Sequence, residues 1–307
     1  MRQEVDVIRL FVAVFLFLAW TVLSHAQCFA PVSNPTSNIK DDWKDLVQFM
    51  PVVHEEGVVR VQTIPNGFGD KINLDFYSIT FRKDPTRSLS VVFRDIRRHF
   101  NSFTHDAETF YEESADTYFL PYRASPSADD LSSKRNKMVW ESEDPKGAVM
   151  SFVLKSYTPA LALAATTHGI RIVQEQGDVV ATCATQTDFI FTTVYTLKDT
   201  YHPVCGHSGF GIRDNGDGTW TFYSKGADRE TKMESGAEYF GNIALRHGAM
   251  NPEIEGSPLK ENPDAVFQVG HKFWLHFFSN LEGYLDQRGM TVNYNSFIKN
   301  SQRYAYP

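Results

Sequence analysis

Apolar positions along this chain switch between two spacings. Ile72, Leu74 and Phe76 alternate with polar residues, and the run continues to about Phe81, as in a half-buried strand. Val92, Phe93, Ile96, Phe100 and Phe103 then recur at three and four residues, with Arg94, Arg97 and Arg98 on the other side. That spacing predicts a helix over 90–103. Short runs at 139–141, 148–155, 171–173, 179–185, 189–196, 210–213 and 219–223 follow, rich in β-branched and aromatic residues, and read as strands. Turn residues at 144–147, 176–178 and 214–218 predict hairpins between them, the last being the clearest. The helical period returns weakly at Tyr239, Ile243 and Leu245. It then dominates the longest helix, which Asn262 or Asp264 caps and Gly289 ends, with Phe267, Trp274, Phe277, Phe278, Leu281 and Leu285 on one face.

Smaller features complete the pattern. Residues 41–49 read as a helix burying Trp43, Leu46 and Val47, stopped by Pro51. Residues 58–63 are a short strand, 65–67 a turn, and 161–167 suit helix or strand equally. Residues 27–40 form a loose leader, 251–263 a loop, and the polar run 123–137 is the best internal linker. The order predicts an α+β fold, a mostly antiparallel sheet packed against a long C-terminal helix. A single domain over 41–307 is expected, with any subdivision near 123–137.

The first 26 residues carry an address. Leu10 to Leu23 is apolar without a charge, Arg9 precedes it, and Ser24-His25-Ala26 follows. This reads as a secretory signal cut after Ala26, so the mature protein starts at Gln27 and acts outside the cytoplasm. The run is shorter than the ~20 residues a membrane-spanning helix needs, so no stable membrane span is expected after cleavage. An uncleaved anchor is the competing reading.

Composition adds three constraints. Aromatic content of 14%, with 24 Phe, suggests a wide apolar interior or a lined cavity. A net charge of −7 argues against nucleic acid as a partner. Of the three cysteines, Cys183 and Cys205 lie on strands read as neighbours and form the expected bridge, leaving Cys28 free. The one Asn-x-Ser/Thr match, Asn34-Pro35-Thr36, is blocked by its proline.

Reactive side chains concentrate in 202–209. Gly206-His207-Ser208-Gly209 starts like a hydrolase nucleophile turn, but Phe210 replaces the required glycine and a hairpin replaces the required helix. Cys205 and His207, two apart on a strand, share a face, so Cys205 with His207 or His202 is the candidate nucleophile pair. As metal ligands, His202, Cys205 and His207 lack a second cluster, so neither metal nor cofactor is expected. His105, Glu108 and Glu112 read as a solvated helix face, and 214–218 lacks the oxygen ligands of a calcium loop. Asp228, Arg229, Arg246 and His247 form a polar constellation that would orient a ligand if it faced an aromatic cavity.

From about Ala148 to Gly289 the succession of strands and a closing aromatic helix resembles a helix-grip domain of the START and Bet v 1-like class. Thr193 to Arg229 carries most of the likeness, with His202-Pro203, Gly206, Phe210 and the paired strands 210–213 and 219–223. The resemblance implies an antiparallel sheet wrapped around the helix and an apolar ligand held between them. The signal segment and the polar run 123–137 depart from that family.

The resulting expectation is an exported, non-catalytic protein that binds a small apolar or lipid-like ligand. Phe191, Tyr195, Phe222, Trp274 and Phe278 would line the site, with Arg229 or His202 as polar anchor. Two alternatives stand beside it. One is a secreted hydrolase or toxin using Cys205 with His202 or His207. The other is an envelope interaction protein with no small ligand.

Overall fold

The computed structural model describes residues 27–29, 42–104, 116–125, 131–155, 174–199, 201–231, 265–293 and 296–306. Alternation along strand β2 (Gly67–Arg82) shows how they are arranged. Ile72, Leu74 and Phe76 point to one face of the sheet, Tyr77, Ile79 and Phe81 to the other, and all six are buried. A strand buried on both faces needs cover on both sides.

Among the described residues the sheet has nine strands, and every pairing is antiparallel. In chain order the others are β1 (Val58–Val61), β3 (Asp116–Pro121), β4 (Val149–Lys155), β5 (Gln174–Ala184), β6 (Asp188–Thr196), β7 (Val204–Asp214), β8 (Thr219–Thr231) and β9 (Ile298–Ala305). In space they run β3-β4-β5-β6-β7-β8-β2-β9, and β1 pairs with β6. β6 changes partner along its length. It pairs with β7 from Asp188 to Thr192 and with β1 from Val194 to Thr196. Thr193 bridges the split: its Oγ1 accepts from Gly206 N at 3.0 Å and donates to Gln62 O at 2.9 Å.

Among the described residues five α-helices lie against the sheet: α1 (Lys44–Val47), α2 (Leu89–Arg98), α3 (Phe100–Thr104), α4 (Leu131–Glu141) and the long α5 (Ala265–Gln287). On the inner face, α2, α3 and α5 close over an aromatic core. The Phe100 ring sits at its centre, with the rings of Phe119, Trp140, Phe189, Phe191, Phe210 and Phe277 between 4.7 and 6.4 Å away. This packing absorbs much of the phenylalanine content.

The N-terminal segment covers the outer face. Phe29, Trp43 and Leu46 pack on Ile72, Leu74, Phe76, Ile190, Tyr223 and Ala227. Trp43 Nε1 donates to Gly226 O at 2.7 Å. Lys225 Nζ donates to Asp42 O at 2.7 Å and Asp45 Oδ1 at 2.8 Å. A Cys28–Cys183 disulfide fixes the segment to β5, and Cys28 N donates to Asp188 Oδ1 at 3.1 Å.

That disulfide corrects the expected Cys183–Cys205 bridge; Cys205 is free and buried. Cys183 lies in β5 and Cys205 in β7, with β6 between them. Two strand spacings amount to about 9–10 Å, more than a disulfide spans. Cys28, expected free, lies on the outer face beside β5 and is the partner of Cys183.

Other expectations shift for identifiable reasons. The second half of the expected linker, 131–137, and the strand expected at 139–141 are part of α4, while 126–130 lie outside the described residues. The inward residues of α4 are Ser132, Asn136 and Trp140, two of them polar, so no apolar stripe marks the helix. Asn136 instead donates to Tyr122 O at 3.1 Å and accepts from Val149 N at 3.0 Å. The hairpin expected at 176–178 lies inside β5. Gly177 is there because a Cβ would meet the His202 ring at 2.5 Å, not because the chain turns. The helix expected over 41–49 is a single turn, and that over 90–103 breaks at His99 into α2 and α3. β9 has no counterpart among the expected strands; most of its residues are polar, and no run of β-branched or aromatic residues marks it. The hairpin at 214–218 and the apolar stripe of α5 are as expected. The signal segment, His105, Glu108, Glu112, 161–167, 171–173, the 239–247 helix with Arg246 and His247, and the Asn262 or Asp264 cap lie outside the described residues.

Candidate functional site

Cross-strand register divides the inner face into rows. Phe81 pairs with Trp220, and Ile79 with Phe222, which faces Ile212. The next row holds Phe210, Ser224, Tyr77 and Lys299. Beyond it come Phe191, Ser208, Gly226, Asp75 and Ser301, then Gly206, Asp228, Asn73 and Arg303. Bulk falls and polarity rises along this series. The nearest atoms to a Cβ built on Gly226 belong to its lateral neighbours Asp75 and Ser208, at 3.6 Å and more, which is ordinary contact distance.

The helix above follows the same gradient. Phe267, His271, Trp274, Phe278, Leu281 and Leu285 recur at four and three residues along α5. Its C-terminal half covers the aromatic rows. Its N-terminal half stands over the polar ones: His271 Nδ1 and Tyr77 Oη share a 2.7 Å hydrogen bond, and the Arg303 guanidinium lies 5.0 Å from the Phe267 ring centre.

The polar rows form one network. Asn73 Nδ2 donates to Asp75 Oδ2 at 2.7 Å and to Asp228 Oδ2 at 3.3 Å, bridging the two carboxyl groups. Ser301 Oγ donates to Asn73 Oδ1 at 3.4 Å, and Arg303 Nη1 donates to Ser301 Oγ at 3.0 Å. Asp75 Oδ1 and Arg303 Nε and Nη2 are buried without a hydrogen-bond partner among the described residues. Such atoms are uncommon in native interiors and mark places where a further group belongs.

Burial controls the charge here. It raises Asp75 to about 6, with Ser301, Asn73 and Arg303 opposing the shift. Burial also raises Asp228 well above its ordinary range, and repulsion from Asp75 adds to it. The pair therefore keeps protons where free aspartates have lost them. Burial, then Arg303 and Lys299, lower His271, so its imidazole is neutral near pH 7. The arrangement offers hydrogen-bond donors, an acceptor and a guanidinium beside aromatic walls. Its chemistry suits recognition of a polar group on an otherwise apolar molecule.

The residues expected to bind a ligand divide between places. Phe191, Phe222 and Phe278 are packed in the aromatic core, 2% exposed or less. Trp274, partly exposed, stacks near Phe210 at 5.4 Å on the border of the polar rows. Tyr195 sits apart at the β1–β6 pairing, against Tyr201 at 4.5 Å, with Arg60 over the Tyr201 ring. Arg229 lies on the outer face, its guanidinium 3.9 Å from the Tyr306 ring centre and Nη1 donating to Ile64 O at 3.2 Å. Asp228, its neighbour in sequence, points the other way, into the site.

The Cys205 cluster belongs to the split in the sheet. Cys205 Sγ contacts Gln62 Nε2 at 3.5 Å and Thr231 Oγ1 at 3.3 Å, with no imidazole among these partners. Gln62 also accepts from His202 N at 2.8 Å and donates to His202 O at 3.1 Å, closing the split. His202 Nδ1 is turned to Val204, and His207 Nδ1 to Thr192 Oγ1 at 2.9 Å. Burial pushes both histidines down to about 4, which makes them poor bases at neutral pH. Among the described residues no three His, Cys, Asp or Glu side chains converge as a metal site requires.

Asn73, Asp75, Tyr77, His271, Ser301 and Arg303 were missed in sequence. The signal was present in Asn73-x-Asp75-x-Tyr77, a second period-two series in opposite phase to Ile72, Leu74 and Phe76. Assigning the apolar series to the core sent the polar one to solvent.

No family model matches the chain, and no curated protein does. Among solved structures it is similar to the di-domain ARO/CYC StfQ from the steffimycin biosynthetic pathway, at 7% identity and a TM-score of 0.33. The alignment covers 70% of this chain, which spans about half, 52%, of that one. At that level the likeness bears on neither fold nor function. No helix among the described residues is long and apolar enough to cross a membrane.

Proposed function

We propose that this is an exported protein that binds a small, largely apolar molecule between the sheet and the N-terminal half of α5. The carrying observation is Asp75 Oδ1, buried and unpartnered, in a row where Ser208 and Gly226 leave the inner face without bulk. Phe191 ends the same row across β7 and β8, and Trp274 lies 5.4 Å from Phe210 in the next row, giving apolar walls at its border. Export is supported by the charge-free run from Leu10 to Leu23 and by the Cys28–Cys183 bridge, since disulfides persist in oxidising compartments. Cleavage after Ala26 would leave Cys28 as the second residue of the mature chain.

Native mass spectrometry of the full mature chain, with displacement of an environment-sensitive dye by fatty acids and sterols, tests this reading. A co-purifying small molecule or displacement supports it; neither overturns it. The ring packing around Phe100 favours one other reading, an interaction protein without a small ligand, to which the negative result would point.

A further inference from the structure

We infer that the bound molecule is an amphiphile whose carboxylate sits on the guanidinium of Arg303. This rests on the binding reading above and names the ligand class. Arg303 uses one nitrogen, Nη1, to reach Ser301 Oγ. The two it leaves over, Nε and Nη2, are sealed from solvent and have no hydrogen-bond partner among the described residues. Nε and one terminal nitrogen make the planar fork that takes two carboxylate oxygens in parallel. A sealed, charged fork with both donors unused is costly unless something accepts from it. Asp75 and Asp228 do not: neither makes an ion pair with Arg303, and both are held by Asn73 instead.

The surroundings select among anions. Asp75 Oδ1 also lacks a partner, and a protonated Asp75 would donate to the guest carboxylate. A singly charged head is tolerable beside these two carboxyl groups, whereas a doubly charged phosphate would repel them more strongly. Lys299 adds a second positive charge in the Tyr77 row, and His271 is neutral. Phe267 under the guanidinium and Trp274 one helical step beyond His271 supply the apolar side. The tail would run toward the aromatic rows and the head toward β9.

Titration of the full, disulfide-bonded chain by calorimetry separates the claims. The probes are dodecanoate, dodecan-1-ol and dodecyl phosphate. Dodecanoate should bind at least tenfold more tightly than the alcohol and more tightly than the phosphate. Arg303→Gln should abolish the advantage over the alcohol, while Arg303→Lys keeps part of it. Thermal melts confirm that each variant folds. Equal binding of acid and alcohol, a preference for the phosphate, or an acid preference that survives Arg303→Gln overturns the carboxylate assignment alone. Binding of none of the three by the wild type overturns the ligand-binding reading beneath it.

Discussion

Lys225 and Asp45 form an ion pair at 2.8 Å in which the lysine side chain is wholly buried, on the face of the sheet opposite α5. The Phe29 and Trp43 rings flank its ammonium at 5.3 and 5.6 Å, and Asp42 O accepts from it. Burial lowers the lysine, and Asp45 is the main opposing influence. Asp45→Asn strands a charge, while Lys225→Met removes it. The first should cost about 2 kcal/mol and the second clearly less, because Asp45→Asn leaves a sealed ammonium without its counter-ion, whereas Lys225→Met leaves only Asp45, whose side chain is 31% exposed and reaches water. Urea unfolding of the two variants decides it; a more damaging Lys225→Met would contradict the argument.

Asp75 gives a pH signature. Its folded-state carboxyl titrates at about 6, above the 3.8 of the unfolded chain. The fold therefore holds extra protons between those values, and stability is lost as pH rises through the upper one. Asp75→Asn keeps an oxygen for the Asn73 amide and cannot ionise. Relative to wild type it should gain nothing near pH 4 and on the order of 3 kcal/mol at pH 8. Thermal unfolding at both pH values tests this. An equal gain at the two would show that ionisation is not the cause.

Gly209 faces outward from β7, and a Cβ there would come within 2.6 Å of the Phe29 ring. Gly209→Ala should displace Phe29 at a cost of about 1–3 kcal/mol. In a Phe29→Ala background the same change should cost much less, since the clash is gone. A double-mutant cycle by chemical denaturation measures the coupling; additive losses would mean the ring does not rest on Gly209.

How much of this was legible depended on what each side chain faces. The stripe of α5 and the hairpin at 214–218 follow from local period and turn chemistry. α4 was hidden because Ser132 and Asn136 face inward to satisfy backbone groups of Ala124 and Tyr122, outside the helix. The site was hidden for a related reason: Asn73, Asp75 and Asp228 pair with one another inside the sheet. Periodicity treats polar as outward, and only the register of β2 against β8 and β9 shows otherwise. Cys205 drew attention as a reactive type, yet its neighbours are Gln62 and Thr231, which no spacing along the chain reveals.

The partner change along β6 makes the sheet two ribbons with a tear line between them. The backbone ladder between β6 and β7 covers only Asp188 to Thr192, with the Thr193 side chain on Gly206 beside it, against the long ladders that β7 and β2 make with β8. Cys28 and Phe29 span that line: Cys28 is bonded to β5 on one ribbon, and Phe29 rests against β7 and against Tyr223 of β8 on the other. The pair acts as a rivet. Reducing it should loosen the stitched amides before the ribbons themselves, with hydrogen exchange quickening at 188–192 and remaining slow along β2 and β8. Uniform quickening across the sheet would mean that the ribbons part only when everything unfolds. The same rivet closes a loop of 155 residues, for which chain entropy alone gives about 5 kcal/mol and measured bridges usually 2–4. A rupture held shut by one oxidised bond ties the mechanical integrity of the sheet to the redox state of its surroundings.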